Sequence, residues 1–118
     1  IAYVALREGN VEEAQQLLTD ALKNFHTDQN KSGLAFAMDK MASLYVMTDQ
    51  PEAAAHLIGW SDATRREVGD PRPRIEQADL DGDIAAIKAM IGSSVFEAAY
   101  HSGWGMTLDE AVARTKSS

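Results

Sequence analysis

Three aspartates in the second half of the chain have a spacing that could bind calcium. Asp79, Asp81 and Asp83 alternate around Gly82. Calcium loops of the EF-hand type also alternate their oxygen ligands, but they need glycine at the sixth position and a glutamate at the twelfth. Counted from Asp79, the glycine comes too early and no glutamate stands at the twelfth position. Because the neighbouring apolar residues continue a helical stripe, we predict a helix here and no metal site.

Histidines and paired acids are the other groups that could do chemistry. His26, His56 and His101 fall in three different segments and lack the i, i+4 spacing of two metal ligands on one helix. We expect His56 to be partly exposed on a helix and His101 to lie near a helix end. Two acidic pairs could act as general acid and base, but surface helices rich in acids form such pairs by chance: Glu52 with Asp62, and Glu97 with Asp109.

The sequence contains neither a glycine-rich phosphate loop nor a Gly-x-Ser-x-Gly elbow. We therefore predict that the chain is not an enzyme and carries no catalytic residue, metal or cofactor.

The charge balance argues against nucleic acid and membrane surfaces as direct partners. Acidic residues outnumber basic ones by 18 to 11, for a net charge of −7, which repels phosphate backbones and anionic lipid heads. The most basic run comprises Arg65, Arg66, Arg72 and Arg74. Because acids interrupt this run, a helix end followed by a solvated loop explains it better than a phosphate-binding track.

Length and cysteine content set further bounds. The 118 residues suit a single domain over 1–118, which can bury roughly two thirds of its unfolded surface. Ile1 falls within an apolar pattern without a cap, so we expect a fragment of a longer protein. The absence of cysteine excludes disulfides and thiolate sites and is compatible with the cytoplasm, our predicted location. No apolar run approaches the roughly twenty residues of a membrane span.

One helix, predicted over residues 51–69, organises these candidate groups. Pro51 suits the first helical position, where its missing N–H is no loss, and Gly69 supplies the left-handed residue that ends a helix. Arg65 and Arg66 in the last turn face the negative end of the helix dipole. Apolar and small residues cover more than one side of this helix, which places it in the middle of a stack.

Apolar periodicity and caps predict the other helices. Trp60 is expected to anchor the core, and Trp104 to cover the C-terminal edge of the stack. Capping boxes are predicted at Ser94 with Glu97 and at Thr107 with Glu110. The remaining elements are a helix tail at 1–8, helices over 11–25, about 32–47 and 75–91, and a tight turn at Gly103-Trp104-Gly105.

The chain contains an internal repeat. Residues 11–18 align with 51–58 at a spacing of 40, which keeps the acidic first turn, a small alanine and the paired aliphatic residues in register. Helical-hairpin repeats have periods of this size and are stable only when they stack on one another.

At these positions the chain resembles the tetratricopeptide-like repeats, in which small residues sit where two helices cross. Ala42, Tyr45, Ala54 and Ile58 match those places in the second unit, and Gly9, Ala14, Leu18 and Ala21 match those in the preceding half repeat. Both repeats are longer than the usual ~34 residues, and Ser61 stands where an alanine is expected. The resemblance implies an all-α fold, a tetratricopeptide-like α-hairpin superhelix with a C-terminal helical cap.

The C-terminal half, about residues 51–113, resembles the end of large bacterial signalling ATPases. These are the LuxR-type and AfsR-type transcriptional regulators and the adenylate-cyclase-linked proteins, whose helical-repeat tail follows a nucleotide-binding module. Three segments carry the resemblance: Arg-Arg-Glu-Val-Gly-Asp-Pro-Arg-Pro at 65–73, Val-Phe-Glu-Ala-Ala-Tyr-His-Ser-Gly at 95–103, and Met-Thr-Leu-Asp-Glu-Ala-Val at 106–112.

The resemblance implies a non-catalytic module that binds proteins and senses an effector within a multidomain signalling protein. The tetratricopeptide pattern would place one set of residues on the inner, concave face: Tyr3, Arg7, Phe36, Asp39, Ser43 and Met47. Such a mixture suits a protein segment or another domain of the parent. Two alternatives stay open, namely that these residues only pack between repeats, and that the chain is a structural array through which its parent forms oligomers, such as a homodimer.

Overall fold

This computed structural model describes residues 11–114, apart from the side chains of Val11, Leu108, Val112 and Arg114. Helices account for nearly all of this part of the chain: α1 Val11–Thr27, α2 Lys31–Met47, α3 Pro51–Val68, α4 Arg74–Ile91, α5 Ser93–Trp104 and α6 Leu108–Arg114. No strand occurs among the described residues, so the predicted all-α class is confirmed. The helix predicted at 1–8 lies outside them.

Two turns of the same form reverse the chain between the first three helices. Gln29 and Asp49 adopt left-handed backbone angles, with φ of 55° and 60°. The amide of the next residue then donates to a carbonyl five residues back, from Asn30 to Phe25 at 2.9 Å and from Gln50 to Tyr45 at 2.8 Å. These bonds satisfy carbonyls at the ends of α1 and α2 and set the three helices side by side.

The predicted 40-residue repeat has a structural counterpart. Helices α1 and α3 begin 40 residues apart. Ala14 and Ala54 occupy equivalent positions and are both fully buried, and the equivalent Leu18 and Ile58 are 2% and 0% exposed. Equivalent positions of α1 and α3 therefore face the core.

Helix α3 is the centre of the packing, as its caps and two-sided apolar pattern predict. It contacts α2 on one side and α5 on another, and Trp60 lies in the core at 5% exposure. Pro51 stands in its first turn, and Gly69, with φ of 71°, donates its amide to the carbonyl of Arg65. The residues predicted to begin and end this helix, Pro51 and Gly69, therefore do so.

Two glycines let α3 and α5 cross in backbone contact. A Cβ atom at Gly59 would overlap the carbonyl oxygen of Tyr100, and one at Gly103 would overlap the carbonyl oxygen of His56. The tight turn predicted at 103–105 is present, since the Met106 amide donates to the Gly103 carbonyl at 3.1 Å, but α5 continues into it as far as Trp104. Gly103 serves the close approach of a neighbouring helix.

The two predicted capping boxes have opposite outcomes. The box at Ser94 and Glu97 is wrong, because α5 begins one residue earlier and follows Gly92, which has φ of 85° and no side chain to cap with. The box at Thr107 and Glu110 is confirmed: the Thr107 amide donates to Glu110 Oε1 at 2.9 Å, and the Glu110 amide donates to Thr107 Oγ1 at 3.2 Å.

Helix α4 packs against α2, α3 and α5, with Leu80 and Ile87 as its buried residues. The segment with the three aspartates is helical, as predicted. Within the described residues, no helix combines the length and apolar character that crossing a membrane requires.

Candidate functional site

The most densely connected polar side chains lie where the loop between α3 and α4 passes α2. Arg72, from this loop, donates from Nε to Asp39 Oδ2 at 2.8 Å and from Nη2 to Asp39 Oδ1 at 2.9 Å. Only 6% of the Arg72 side chain and 9% of the Asp39 side chain are exposed. A bidentate pair with so little contact with water is strong and fixes the loop on the helix.

Every N–H group of the Arg72 guanidinium has an acceptor. Besides the two bonds to Asp39, Nη2 donates to Ser61 Oγ at 3.0 Å, and Nη1 donates to Asp62 and to Gln77 Oε1. A guanidinium has five N–H donors, so none remains for a ligand. Burial alone lowers the pKa of Arg72, but the hydrogen bonds and charges of Asp39 and Asp62 outweigh it and raise that pKa above its usual value.

Arg65 lies beside this pair on α3. Its Nη2 donates to Asp39 Oδ2 at 3.4 Å and lies 3.8 Å from Glu76 Oε1, and its Nη1 donates to the carbonyl of Asp70 at 3.3 Å. Its Nε is buried and has no hydrogen-bond partner among the residues that the structure describes. Two arginines thus share the Asp39 carboxylate, and the acids around them balance their charge.

Asp62 extends these contacts to α5. The Tyr100 hydroxyl donates to Asp62 Oδ2 at 2.6 Å, and the other oxygen of Asp62 accepts from Arg72. Burial, together with the hydrogen bond to Asp62 and its negative charge, raises the pKa of Tyr100 well above the usual value of 10.0. Tyr100 therefore stays protonated and acts as a donor.

We call this group the polar clasp: Asp39, Ser61, Asp62, Arg65, Arg72 and Tyr100. It joins α2, α3, α5 and the loop before α4. Because Arg72 stays charged and Tyr100 keeps its proton, neither is an activated nucleophile, and their role in the clasp is to hold these elements in place.

A second polar group lies between α2 and α4. The Ser43 hydroxyl donates to Asp83 Oδ2 across a narrow gap that is also lined by Asp39, Lys40 and Asp79. Burial and the nearby negative charge of Asp79 raise the pKa of Asp83, although the Ser43 hydrogen bond opposes the shift. The gap has a volume of only ≈ 10 Å³, so it is a polar interface between two helices and not a ligand cavity.

The third feature is a surface cavity of ≈ 220 Å³ that we call the tryptophan cleft. Both tryptophans of the chain border it, and it opens between α3, the start of α2 and the turn between α5 and α6. Its lining residues are Lys31, Trp60, Ala63, Thr64, Glu67, Trp104, Met106 and Thr107. Trp104 is 39% exposed, so it covers this edge of the stack only in part.

The residues predicted for the concave face are not all in one environment. Phe36 and Met47 are exposed at 40% and 52% on α2. Asp39 belongs to the polar clasp and Ser43 contacts α4. Tyr3 and Arg7 lie outside the described residues. The use of this face in binding stays a prediction.

The histidines and aspartates fall in separate places. His26 Nε2 lies 3.7 Å from Asp109, and His101 Nε2 lies 3.6 Å from Glu97 one turn away. The expectation of a partly exposed His56 is wrong, since it is 6% exposed at the crossing of α3 with α5. Within residues 11–114, no three histidine or acidic side chains are grouped so that they could hold a metal ion.

The clasp is what sequence reasoning missed. We expected Arg65 and Arg72 at a helix end and in a solvated loop, but both side chains are buried against Asp39. The signal was Asp39 itself, a charged residue within the apolar sequence of α2, since a buried acid requires a buried cation. The prolines on either side of Arg72 hold the loop in an extended form that brings this side chain to α2.

Compared with models of known families, with curated proteins and with solved structures, the chain gives no match.

Proposed function

We propose that the chain is a non-catalytic protein-interaction module that acts through the exposed side of α2. The observation that carries this proposal is the exposure of Phe36 and Met47. They are 11 residues apart, close to three helical turns, and therefore lie on the same side of α2. Exposed aromatic and methionine side chains on a rigid helix favour contact with another protein.

The surroundings of these residues suit this role. Lys40 Nζ lies 5.3 Å from the centre of the Phe36 ring, so a cation already supports the aromatic side chain. Ser43 follows Phe36 by two helical turns on the same side of α2 and contacts α4, and Asp39 belongs to the clasp. Because α4 and the clasp hold the helix between Phe36 and Met47, a partner would meet these two side chains on a preformed support and lose little entropy in ordering them.

We further infer that the module is tetratricopeptide-like, senses an effector, and belongs to a cytoplasmic bacterial regulator of the LuxR or AfsR type. Two features support this inference: the 40-residue repeat of α1 and α3, and the resemblance of segments 65–73, 95–103 and 106–112 to the tails of such regulators. The direct test is to read the native frame upstream of Ile1. A nucleotide-binding module there supports the inference, and a short frame without a second domain contradicts it.

The interaction itself is tested with the polypeptide that this upstream frame encodes. We expect the purified upstream segment to bind this chain in calorimetry, and Phe36→Glu and Met47→Glu each to weaken binding by at least about tenfold.

The matched control is Val95→Glu, which places the same charge on α5 at a residue that is 43% exposed. Absence of binding, or equal weakening by all three variants, would overturn the proposed use of α2.

The second candidate function is assembly of the parent through α4. It is favoured by Ile75, which at 77% is the most exposed of the large apolar residues of the described part, and by Met90 on the same helix at 47%. Light scattering tests it: a dimer that Ile75→Glu converts to a monomer supports assembly through α4, and a monomeric wild type contradicts it for this chain.

A further inference from the structure

We propose that the tryptophan cleft binds a small, flat, uncharged aromatic molecule. This inference names an effector class and rests on the effector-sensing function proposed above. It concerns a different surface from the α2 face, so the two can fail independently.

The aromatic surface of the cleft comes chiefly from Trp104, which is 39% exposed, and in small part from Trp60, which is 5% exposed. Trp60 lies in the middle of α3 and Trp104 at the end of α5, 44 residues later. Met106 lies beside them, and a thioether packs well against ring edges. Indole and thioether groups together favour a planar aromatic guest over an aliphatic one.

Trp104 is held by its neighbours and needs no ligand to position it. Along α5 the ring centres of Phe96 and Tyr100 are 5.8 Å apart, and those of Tyr100 and Trp104 are 6.0 Å apart. The Arg66 guanidinium lies 5.7 Å from the Trp104 ring centre. Since Tyr100 is in turn fixed by Asp62, the exposed indole stands on a preformed support. A preformed wall lowers the entropic cost of binding.

The charged groups at the cleft are already paired. Lys31 Nζ donates to Glu67 Oε1 at 2.7 Å, and the capping box engages Thr107 with Glu110. Arg66 faces an indole ring. The two charged residues that line the cleft, Lys31 and Glu67, have opposite signs, so the lining carries no net charge that would attract an ionic ligand. Charge therefore selects an uncharged guest.

The volume of the cleft limits the size of the ligand. At ≈ 220 Å³ the cleft is smaller than the roughly 300–1,000 Å³ of sites for drug-sized ligands. A helix or an extended peptide needs a longer groove, but one ring system with a small substituent fits the volume.

The experiment uses the full chain and para-nitrobenzyl alcohol, a neutral aromatic probe that quenches tryptophan fluorescence. Both tryptophans border the cleft, so a probe that binds there should quench their fluorescence. We expect saturable quenching with a dissociation constant below about 1 mM, confirmed by calorimetry. Benzyl alcohol is expected to displace the probe about two- to tenfold more strongly than cyclohexylmethanol, which has the same carbon skeleton but is saturated. Non-saturable quenching, or equal competition by cyclohexylmethanol, would overturn the proposal.

Variants locate the site by calorimetry. Trp104→Ala should weaken probe binding at least about tenfold, and Trp104→Phe, which keeps a ring, by no more than about threefold. Ala63→Leu, which fills the cleft and keeps both tryptophans, should also weaken binding at least about tenfold. Circular dichroism checks that each variant is folded. Unchanged binding in Ala63→Leu would place the probe elsewhere.

Val95→Ala is the matched control, because Val95 lies on the same helix as Trp104, is exposed to a similar extent, 43% against 39%, and does not line the cleft. It should leave probe binding unchanged. Equal loss in Val95→Ala and Trp104→Ala would contradict a specific cleft. If probe binding fails while the upstream segment still binds α2, the aromatic site alone is wrong. If the probe binds and the upstream segment does not, the α2 interface alone is wrong.

Discussion

Replacing Arg72 should destabilise the fold, because Asp39 and Asp62 would lose their shared buried cation. Breaking a buried ion pair costs about 3–5 kcal/mol. We expect Arg72→Met to lie near the lower end, at about 3 kcal/mol, since Asp39 keeps Arg65 and Asp62 keeps Tyr100. Urea unfolding followed by circular dichroism measures the change.

The control for Arg72→Met is Arg74→Met, which makes the same chemical change at an exposed residue two positions later. Exposed substitutions usually stay within about 0.5 kcal/mol. Equal stability of the two variants would show that the contacts of Arg72 contribute nothing to the stability of the fold.

Asp83 should make stability depend on pH. Burial raises its pKa above the usual value of 3.8, and the charge of Asp79 adds to this, whereas the Ser43 hydrogen bond and Lys40 oppose it. The folded chain thus holds this proton more tightly than the unfolded chain, so stability falls as pH rises through the folded pKa. We expect Asp83→Asn to raise the urea midpoint at neutral pH. This gain should shrink when the pH falls below the usual pKa of 3.8.

Asp81→Asn is the control for this prediction, because Asp81 is exposed on the same helix and losing its charge removes no burial penalty. If Asp83→Asn gives no larger gain than Asp81→Asn at neutral pH, the ionised Asp83 carboxylate does not destabilise the α2–α4 interface.

For individual residues, the sequence predicted the apolar core better than the polar contacts. Leu18, Ile58 and Trp60 are buried as their periodicity indicates. The environment of Asp39 could not be predicted in the same way, because its partners come from residues 26 and 33 positions later. A local sequence pattern indicates which face of a helix is buried. It does not indicate which distant loop packs against that face.

Among the helices, the crossing of α3 with α5 depends on glycine. Gly59→Ala places a methyl group against the carbonyl of Tyr100, which belongs to backbone and cannot rotate away. Overpacking of a core commonly costs about 1–3 kcal/mol, and a clash with backbone should reach about 3 kcal/mol or more. Thermal and urea unfolding of Gly59→Ala test this expectation.

Gly82→Ala makes the same change in the middle of α4, where a Cβ would meet no atom within 4 Å. Alanine is favoured over glycine inside a helix by about 0.5–1 kcal/mol, so this variant should be more stable than the wild type. Opposite signs for the two variants support the close crossing, whereas a neutral Gly59→Ala would show that α3 and α5 are farther apart.

Helix ends were predictable where a local device forms them. Pro51, Gly69 and the Thr107 capping box act as their residue types indicate. The end of α5 was not, because glycine at position 103 has two uses that look alike in sequence: it can break a helix, or it can admit a neighbouring backbone. Only the position of α3 decides between them.

For the whole molecule, the order of packing from α1 to α3 follows from the 40-residue repeat and its two short turns. The position of α4 does not follow from it. The loop with Pro71 and Pro73 fixes its own backbone, but which face of the stack receives α4 depends on Arg72 reaching Asp39. The repeat therefore predicts stacking, whereas long-range contacts, among them the Arg72–Asp39 pair and the Ser43–Asp83 hydrogen bond, position the helix that follows.

The uneven distribution of buried residues among the helices predicts which helix unfolds locally first. Helix α4 has two buried residues, Leu80 and Ile87, whereas α2 has ten. Regions with few buried apolar contacts open at lower free energy than the core. Amide hydrogen exchange followed by mass spectrometry should therefore show faster exchange in peptides from α4 than in those from α2.

Arg72→Met should increase exchange in α4 and leave α2 nearly unchanged, because the arginine joins the loop before α4 to a helix that is already buried by other contacts. The control Arg74→Met, in the first turn of α4 itself, should alter neither helix beyond its end. If α4 and α2 instead exchange at one common rate and respond together to Arg72→Met, the described helices open as a single cooperative unit. The clasp would then stabilise the whole stack and not the attachment of one helix.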